Sequence, residues 1–275
     1  MTEDYRTVNR AYWDDRAPAH AASPGYNVQD FADDPEFLSH VVRFDLPRIG
    51  DLTGLTGVHL QCHIGTDTVS LSRLGAHMTG LDLSGASIAE ARRLAALAGA
   101  DVTYVQGEVY DAAELLQPAS FDLVFTGIGA LCWLPDIVRW AQTVAALLKP
   151  GGRLFLREGH PVLWALEDGR DDDLLVMGFP YHRQTEGLLW DEDATYVEVD
   201  RSFTATRSLS WNHGMGEIFT ALLHAGMRIT AFVEHDSVPW EALPGQLTLR
   251  DTGEWELTQR PERAPMTYTL QAVKD

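Results

Sequence analysis

Two carboxylates, Asp82 and Glu108, stand in stretches that read as strand ends, Leu81-Asp82-Leu83-Ser84 and Gln106-Gly107-Glu108-Val109. A carboxylate beyond the end of a strand can accept hydrogen bonds from both hydroxyls of a ribose. One on the next strand can accept the exocyclic amine of adenine, and the following backbone N–H, at Val109, can donate to the ring. Gly65 lies 17 residues before Asp82, a span of one helix plus one strand. Its lack of a Cβ lets backbone approach a ligand closely. Two histidines could move a proton near neutral pH. His213, in Ser210-Trp211-Asn212-His213-Gly214, is the first candidate base; a plain helix cap made with Asn212 is an equal alternative. His160, before Pro161, is the second, with a structural turn as its alternative. His182, His224 and His235 read as cap or surface residues. No histidine pair has ligand spacing with a third partner, so no metal is expected. The two cysteines, Cys62 and Cys132, fit reduced thiols and suggest neither a disulfide framework nor a nucleophile.

Positioning these groups requires an alternation of strands and helices. Strand-like runs fall at 58–62, 77–83, 102–106, 121–126 and 153–157, with helical patterns at 67–74, 87–97, 111–116 and 135–148. Ser87 and Glu90 have capping-box spacing, Gly75 and Gly99 suit helix ends, and Pro135 suits a first turn. Such alternation predicts a doubly wound α/β fold: a mostly parallel sheet with helices on both faces and ligands beyond the strand ends. A helix at 216–225 and strands at 228–234 and 267–273 bring the strands to seven, with an antiparallel finish. Four segments follow: an N-terminal helical cap at 1–50, a core at 51–159, an inserted α/β cap at 160–212 and a closing unit at 213–275. Within 1–50, Pro35 opens a helix carrying Phe37, Leu38, Val41, Val42 and Leu46. The insertion contains the acidic stretch 167–173, read as a solvated loop, and a β-hairpin from 196–199 and 203–209. About 30 residues before the last strand lack periodicity, so that loop is either functional or poorly ordered.

Acidic residues outnumber basic ones 40 to 21, giving a formal charge of −19 among 275 residues. That field repels phosphate backbones, so nucleic acid is not an expected partner. The acidic, polar N-terminus lacks the apolar segment of a signal peptide, and no apolar run approaches a membrane span. A cytoplasmic protein acting on a small molecule, as monomer or homodimer, is the expectation.

In this order, GVHLQCHIGTDT, TGLDLS, VQGEVYDA, SFDLVFTGIGALCWLPD and LLKPGGRLFL, spanning residues 57–160, resemble the class I S-adenosylmethionine (SAM)-dependent methyltransferases. The resemblance implies a Rossmann-like fold with SAM as cofactor and S-adenosylhomocysteine as product. Asp82 would then hold ribose, Glu108 and Val109 adenine, and Gly65, Gly127 and Ile128 the methionine part, with Leu83 a further cofactor contact. The chain departs from the family in the first loop. Gln61 and His63 replace two glycines and are expected to contact the cofactor through their side chains. His59 replaces an acid, and Thr66, Asp67 and Thr68 offer further polar contacts. Tyr12 and Trp13 resemble a family segment that folds over the cofactor. Trp133 and Trp211, with Trp190 and Trp240, could wall an aromatic acceptor pocket, with core packing as the alternative. The implied activity is methyl transfer to an O or N atom of a small molecule in metabolism or natural-product biosynthesis. A non-catalytic SAM-binding domain is one competing reading. A nicotinamide-dependent dehydrogenase is another, although no G-x-G-x-x-G follows the first strand.

Overall fold

The structure, a computed structural model, describes residues 4–170 and 172–275. Asp171 of the acidic stretch and residues 1–3 of the N-terminal segment lie outside the described residues. Three helices, α1 (Tyr5–Ala22), α2 (Asp30–Asp33) and α3 (His40–Ile49), precede the first strand. Then β1 (Thr56–Leu60), α4 (Thr66–Arg73), β2 (His77–Asp82), α5 (Gly85–Leu97), β3 (Thr103–Gln106), α6 (Ala112–Leu115), β4 (Phe121–Thr126), α7 (Ile137–Leu147) and β5 (Leu148–Gly159) alternate. Next come α8 (Pro161–Ala165), β6 (Leu188–Asp191), β7 (Arg207–Ser210), α9 (Met215–His224) and β8 (Met227–His235). Short strands β9 (Ser237–Val238), β10 (Leu247–Leu249) and β11 (Trp255–Leu257) lead to β12 (Thr267–Lys274).

Seven strands form one sheet in the order β3-β2-β1-β4-β5-β12-β8, with β12 antiparallel to both its neighbours. The order reverses between β1 and β4, so the ligand crevice of such a sheet falls beyond their carboxyl ends. Strand β4 shows why its sequence is nearly all apolar. Val124 packs into one core with Trp140 and Tyr268, while Leu123 and Phe125 enter a second core with Val42, Met78 and Phe155 on the other face. Both faces of the strand are covered, so alternation is lost.

Several boundaries differ from the sequence pattern. Helix α5 opens two residues before Ser87, because the extended Ser84 is the cap and its Oγ accepts from Ser87 N at 3.0 Å. Helix α7 is capped by Asp136, whose carboxylate accepts from Val138 N and Arg139 N, rather than opened by Pro135. Pro35 opens no long helix; Ser39 caps α3 by accepting from Val42 N. The hairpin pairs β6 with β7, not 196–199, because Tyr196 turns toward α1 to meet His20. The aperiodic segment before β12 is an ordered three-stranded sheet, and Val238, Leu247 and Leu257 pack on Leu163 and Met266. Among the described residues no helix is long and apolar enough to cross a membrane.

Helix α1 lies across the carboxyl edge of the sheet and is tied to the hairpin region. Asn9 exchanges two hydrogen bonds with the Leu209 backbone, at 2.9 and 2.8 Å. Arg16, fully buried, donates to the carbonyls of Glu192, Ala194 and Ala205 and lies 3.3 Å from the Tyr12 ring centroid. Several charge-assisted bonds and an aromatic face offset the desolvation of the guanidinium.

Candidate active site

The loop that leaves β1 takes three left-handed residues in alternation: Gln61 at φ 58°, His63 at 48° and Gly65 at 84°. For the two non-glycines this costs about 1–2 kcal/mol each. Gly65 is required twice over, since a Cβ there would come 2.5 Å from the Tyr104 hydroxyl and 2.9 Å from Ala91 Cβ. The strained turn brings His63 N to 2.8 Å from Asp82 Oδ2 and lets Gln61 Nε2 donate to Ala130 O at 2.9 Å.

Asp82 and Glu108 stand at neighbouring strand ends. Asp82 O accepts from Gly107 N at 2.8 Å, which couples the two turns. The Asp82 carboxylate also accepts from Ser84 N at 2.9 Å. Burial outweighs these bonds and pushes its pKa up to about 6. Glu108 lies against α1: Arg6 Nε is 2.9 Å away and Tyr5 donates to it at 3.2 Å. Burial raises its pKa, with Arg6 opposing. Leu83 is half-buried and its carbonyl accepts from Gln106; Val109 is buried.

Above the loop, α1 and the insertion build a cover of rings. Trp13 meets Tyr12, Trp133 and His63 with centroids 5.6, 5.2 and 5.1 Å apart. His63 Nε2 lies 2.8 Å from His20 Nδ1, and His20 Nε2 lies 2.7 Å from Thr195 Oγ1. Tyr26 and Tyr196 are hydrogen-bonded beside them. Burial lowers the pKa of both histidines, that of His20 to about 3, so the pair is uncharged at neutral pH. The edge is therefore covered by the chain's own side chains. His20 was the residue the sequence reading missed; its seven-residue spacing from Trp13, which puts both on one helix face, was the available signal.

Three buried polar atoms around the ends of β1 and β4 lack a partner among the described residues: His59 Nε2, Gln61 Oε1 and Thr126 Oγ1. Gly127, the first residue past β4, is buried, and Ile128 is half-buried. Buried polar groups in a folded protein are nearly always satisfied, so orphans gathered at a crevice call for a ligand or water.

A second feature lies beyond β4 and β5. Glu158, buried, accepts from the N–H groups of Gly129, Ala130, Leu131 and Gly159 at 2.6–2.8 Å. It borders a small cavity with Cys132, Trp211, Asn212, His213 and Tyr268. Trp211 Nε1, Asn212 Oδ1 and the Tyr268 hydroxyl are unpartnered there. Asn212 Nδ2 donates to the carbonyls of Pro161 and Pro180, so its oxygen is the free end.

The two candidate bases do not reach the β1–β4 crevice with a free nitrogen. His213 directs Nε2 to Leu134 O at 2.7 Å and Nδ1 to Glu217 at 3.3 Å. His160 caps α8 by accepting from Val162 N, and its Nε2 lies 3.1 Å from Glu234. Trp190 and Trp240 pack away from the crevice, on Phe179 and Trp164. Burial raises the pKa of both thiols.

The seven-stranded sheet order, with β12 antiparallel to its neighbours, is the fold of SAM-dependent methyltransferase structures. Residues 58–154 match the family model described as a methyltransferase domain. A ubiquinone biosynthesis O-methyltransferase from Xanthomonas euvesicatoria pv. vesicatoria is 39% identical over 107 residues, 38% of this chain and 44% of that protein. One from Sodalis glossinidius is 33% identical over 135 residues, 47% of this chain and 53% of that protein. The chain thus spans about half the length of these curated relatives. Among solved structures, an S-adenosylmethionine-dependent methyltransferase from Mesorhizobium loti shares the fold, with TM-score 0.58, 22% identity, and coverage of 88% of this chain and 100% of that one.

Proposed function

We propose that the chain binds SAM across the carboxyl ends of β2, β1 and β4 and transfers its methyl group to an oxygen or nitrogen of a small molecule. The observation that carries this reading is the trio of orphaned atoms, His59 Nε2, Gln61 Oε1 and Thr126 Oγ1, next to the paired strand-end acids. They fit an adenosine derivative: Asp82 for ribose hydroxyls, Glu108 and Val109 N for adenine, and the left-handed loop with Gly65, Gly127 and Ile128 for the distal part. Leu83 lies beside the adenine in this assignment. When bound, SAM supplies a methyl group already activated on a sulfonium.

The protein's own work is then placement and exclusion of water. Tyr12, Trp13 and Trp133 close over the site, and α1 must part for entry. The neutral His20–His63 pair lines a cationic centre without repelling it. The free atoms of Trp211, Asn212 and Tyr268 match a neutral group that both donates and accepts, such as a hydroxyl, and their cavity has room for little more than such a water-sized group, so the body of an acceptor lies outside it. His213 wall-packs this cavity and acts as a base only after releasing Leu134 O or Glu217, while His160 caps the neighbouring turn with Nε2 near Glu234. The charge of −19 favours a small molecule over nucleic acid, and we assign the chemistry to the cytoplasm, in a monomer or homodimer.

Titration calorimetry with SAM, S-adenosylhomocysteine and NAD, followed by transfer of labelled methyl to a phenol and amine panel, tests this. SAM binding with transfer to a phenol is the expected result. NAD binding without SAM binding would overturn it, and SAM binding without any transfer would favour a binding module.

A further inference from the structure

A ligand that starts at Asp82 and crosses β1 ends over Gly127, where two polar atoms converge. A Cβ built on Gly127 would lie 3.3 Å from Asp67 Oδ2 and 3.3 Å from His59 Nε2. Asp67 sits in the first turn of α4, and among the described residues no lysine or arginine forms an ion pair with it. Burial raises its pKa to about 6, against the Ser39 hydroxyl and the more distant Arg157, with Asp45 adding to the rise. His59 is uncharged, its pKa lowered by burial to about 3. Its Nδ1 is 2.9 Å from Thr68 Oγ1, while Nε2 has no partner. An acid that served only the helix dipole could do so from solvent. This one is half-buried and turned toward an orphaned, buried imidazole nitrogen at the far end of the crevice.

We propose that Asp67 and His59 together receive a primary ammonium group on the bound adenosine derivative. The site thereby selects a ligand that carries an amino-acid tail. Asp67 supplies the counter-charge and His59 Nε2 accepts one N–H, its Nδ1 proton being given to Thr68. The acid that β1 lacks at position 59 is thus replaced by one from the next helix. The inference rests on the SAM reading above and deepens it.

The test is calorimetry on the full chain with three probes: S-adenosylhomocysteine, its analogue without the α-amino group, and 5′-deoxy-5′-methylthioadenosine, which lacks the amino-acid tail. In the wild type, loss of the amino group should weaken binding about 30-fold, the loss of one charge-assisted contact. Asp67→Asn should weaken S-adenosylhomocysteine by a similar factor and leave methylthioadenosine within about threefold. The ligand-free Asp67→Asn protein should unfold at the same temperature or higher, because a partly desolvated carboxylate without a cationic partner is removed. If the wild type binds the amine-free analogue as well as the parent, the inference is wrong, whether or not the variant folds. Equal weakening of both ligands by Asp67→Asn would also overturn it. Binding of none of the three probes by the wild type would instead remove the SAM reading itself.

Discussion

The loops that leave β1 and β4 lie side by side on one sheet edge and are built in opposite ways. The first, 61–65, holds non-glycine residues in the left-handed region and leaves Gln61 Oε1 and the neighbouring His59 Nε2 without partners. The second, 129–134, is satisfied in detail: Glu158 takes three of its N–H groups, Gln61 donates to Ala130 O, and Trp211 N and His213 Nε2 lie on the carbonyls of Cys132 and Leu134. Strain and unmet bonds at 59–65, and satisfied bonds at 129–134, separate a surface waiting for a ligand from the frame that holds it, and the orphaned Thr126 Oγ1 at the end of β4 belongs with the first.

The largest effect should come from breaking the frame. Glu158→Ala strands four N–H groups at once, three of them buried, and urea unfolding should register a loss on the order of 3–5 kcal/mol. A loss below about 1 kcal/mol would mean that the second loop holds its shape unaided, and the contrast with the first would disappear. On the ligand side, Asp82→Ala should weaken SAM by about 2–4 kcal/mol through two lost charged hydrogen bonds. Unchanged affinity by calorimetry would remove Asp82 from the ribose contact.

The unsatisfied loop also predicts a pH dependence. Asp82 and Asp67 are both raised to about 6 in the folded chain. Between their ordinary range and that value, the folded state keeps protons that the unfolded state has released. Folding therefore weakens as pH rises through about 4–6, by up to about 3 kcal/mol per group, and levels off above. Wild-type stability relative to Asp67→Asn should be more favourable at pH 4.5 than at pH 7. The reverse slope would show that Asp67 already has a cationic partner, making its surroundings resemble the satisfied loop.

The same contrast explains what was legible beforehand. Strand β4 and the turn at Gly65 are local: one apolar run, one glycine with a positive φ. The acids at 82 and 108 follow from strand ends, and adjacent strands pair Asp82 with Gln106. Long-range choices were hidden. Ser84 rather than Ser87 caps α5 because Asp14, far away in sequence, fixes the turn by accepting from Ser84 Oγ and Ala86 N. Tyr196 left the hairpin pattern to meet His20 and Tyr26, a partnership 170 or more residues apart. Strands β9 to β11 are two or three residues long, too short to carry a period. His213 looked free because nothing local announces that Leu134 O and Glu217 would take both its nitrogens.

The smallest effect should be the most specific. Arg6 joins the cover to the edge by an ion pair with Glu108 at 2.9 Å, and it is one-third exposed. An adenine amine must displace it to use the same carboxylate, so the pair competes with the ligand rather than supporting the fold. Arg6→Ala should raise SAM affinity about two- to fivefold, the scale of a partly exposed pair. The gap between variant and wild type should narrow with added salt, which screens that pair more than buried contacts. A drop in affinity would mean instead that Arg6 holds α1 closed over the bound ligand. The cover would then belong with the satisfied frame and not with the loop that waits.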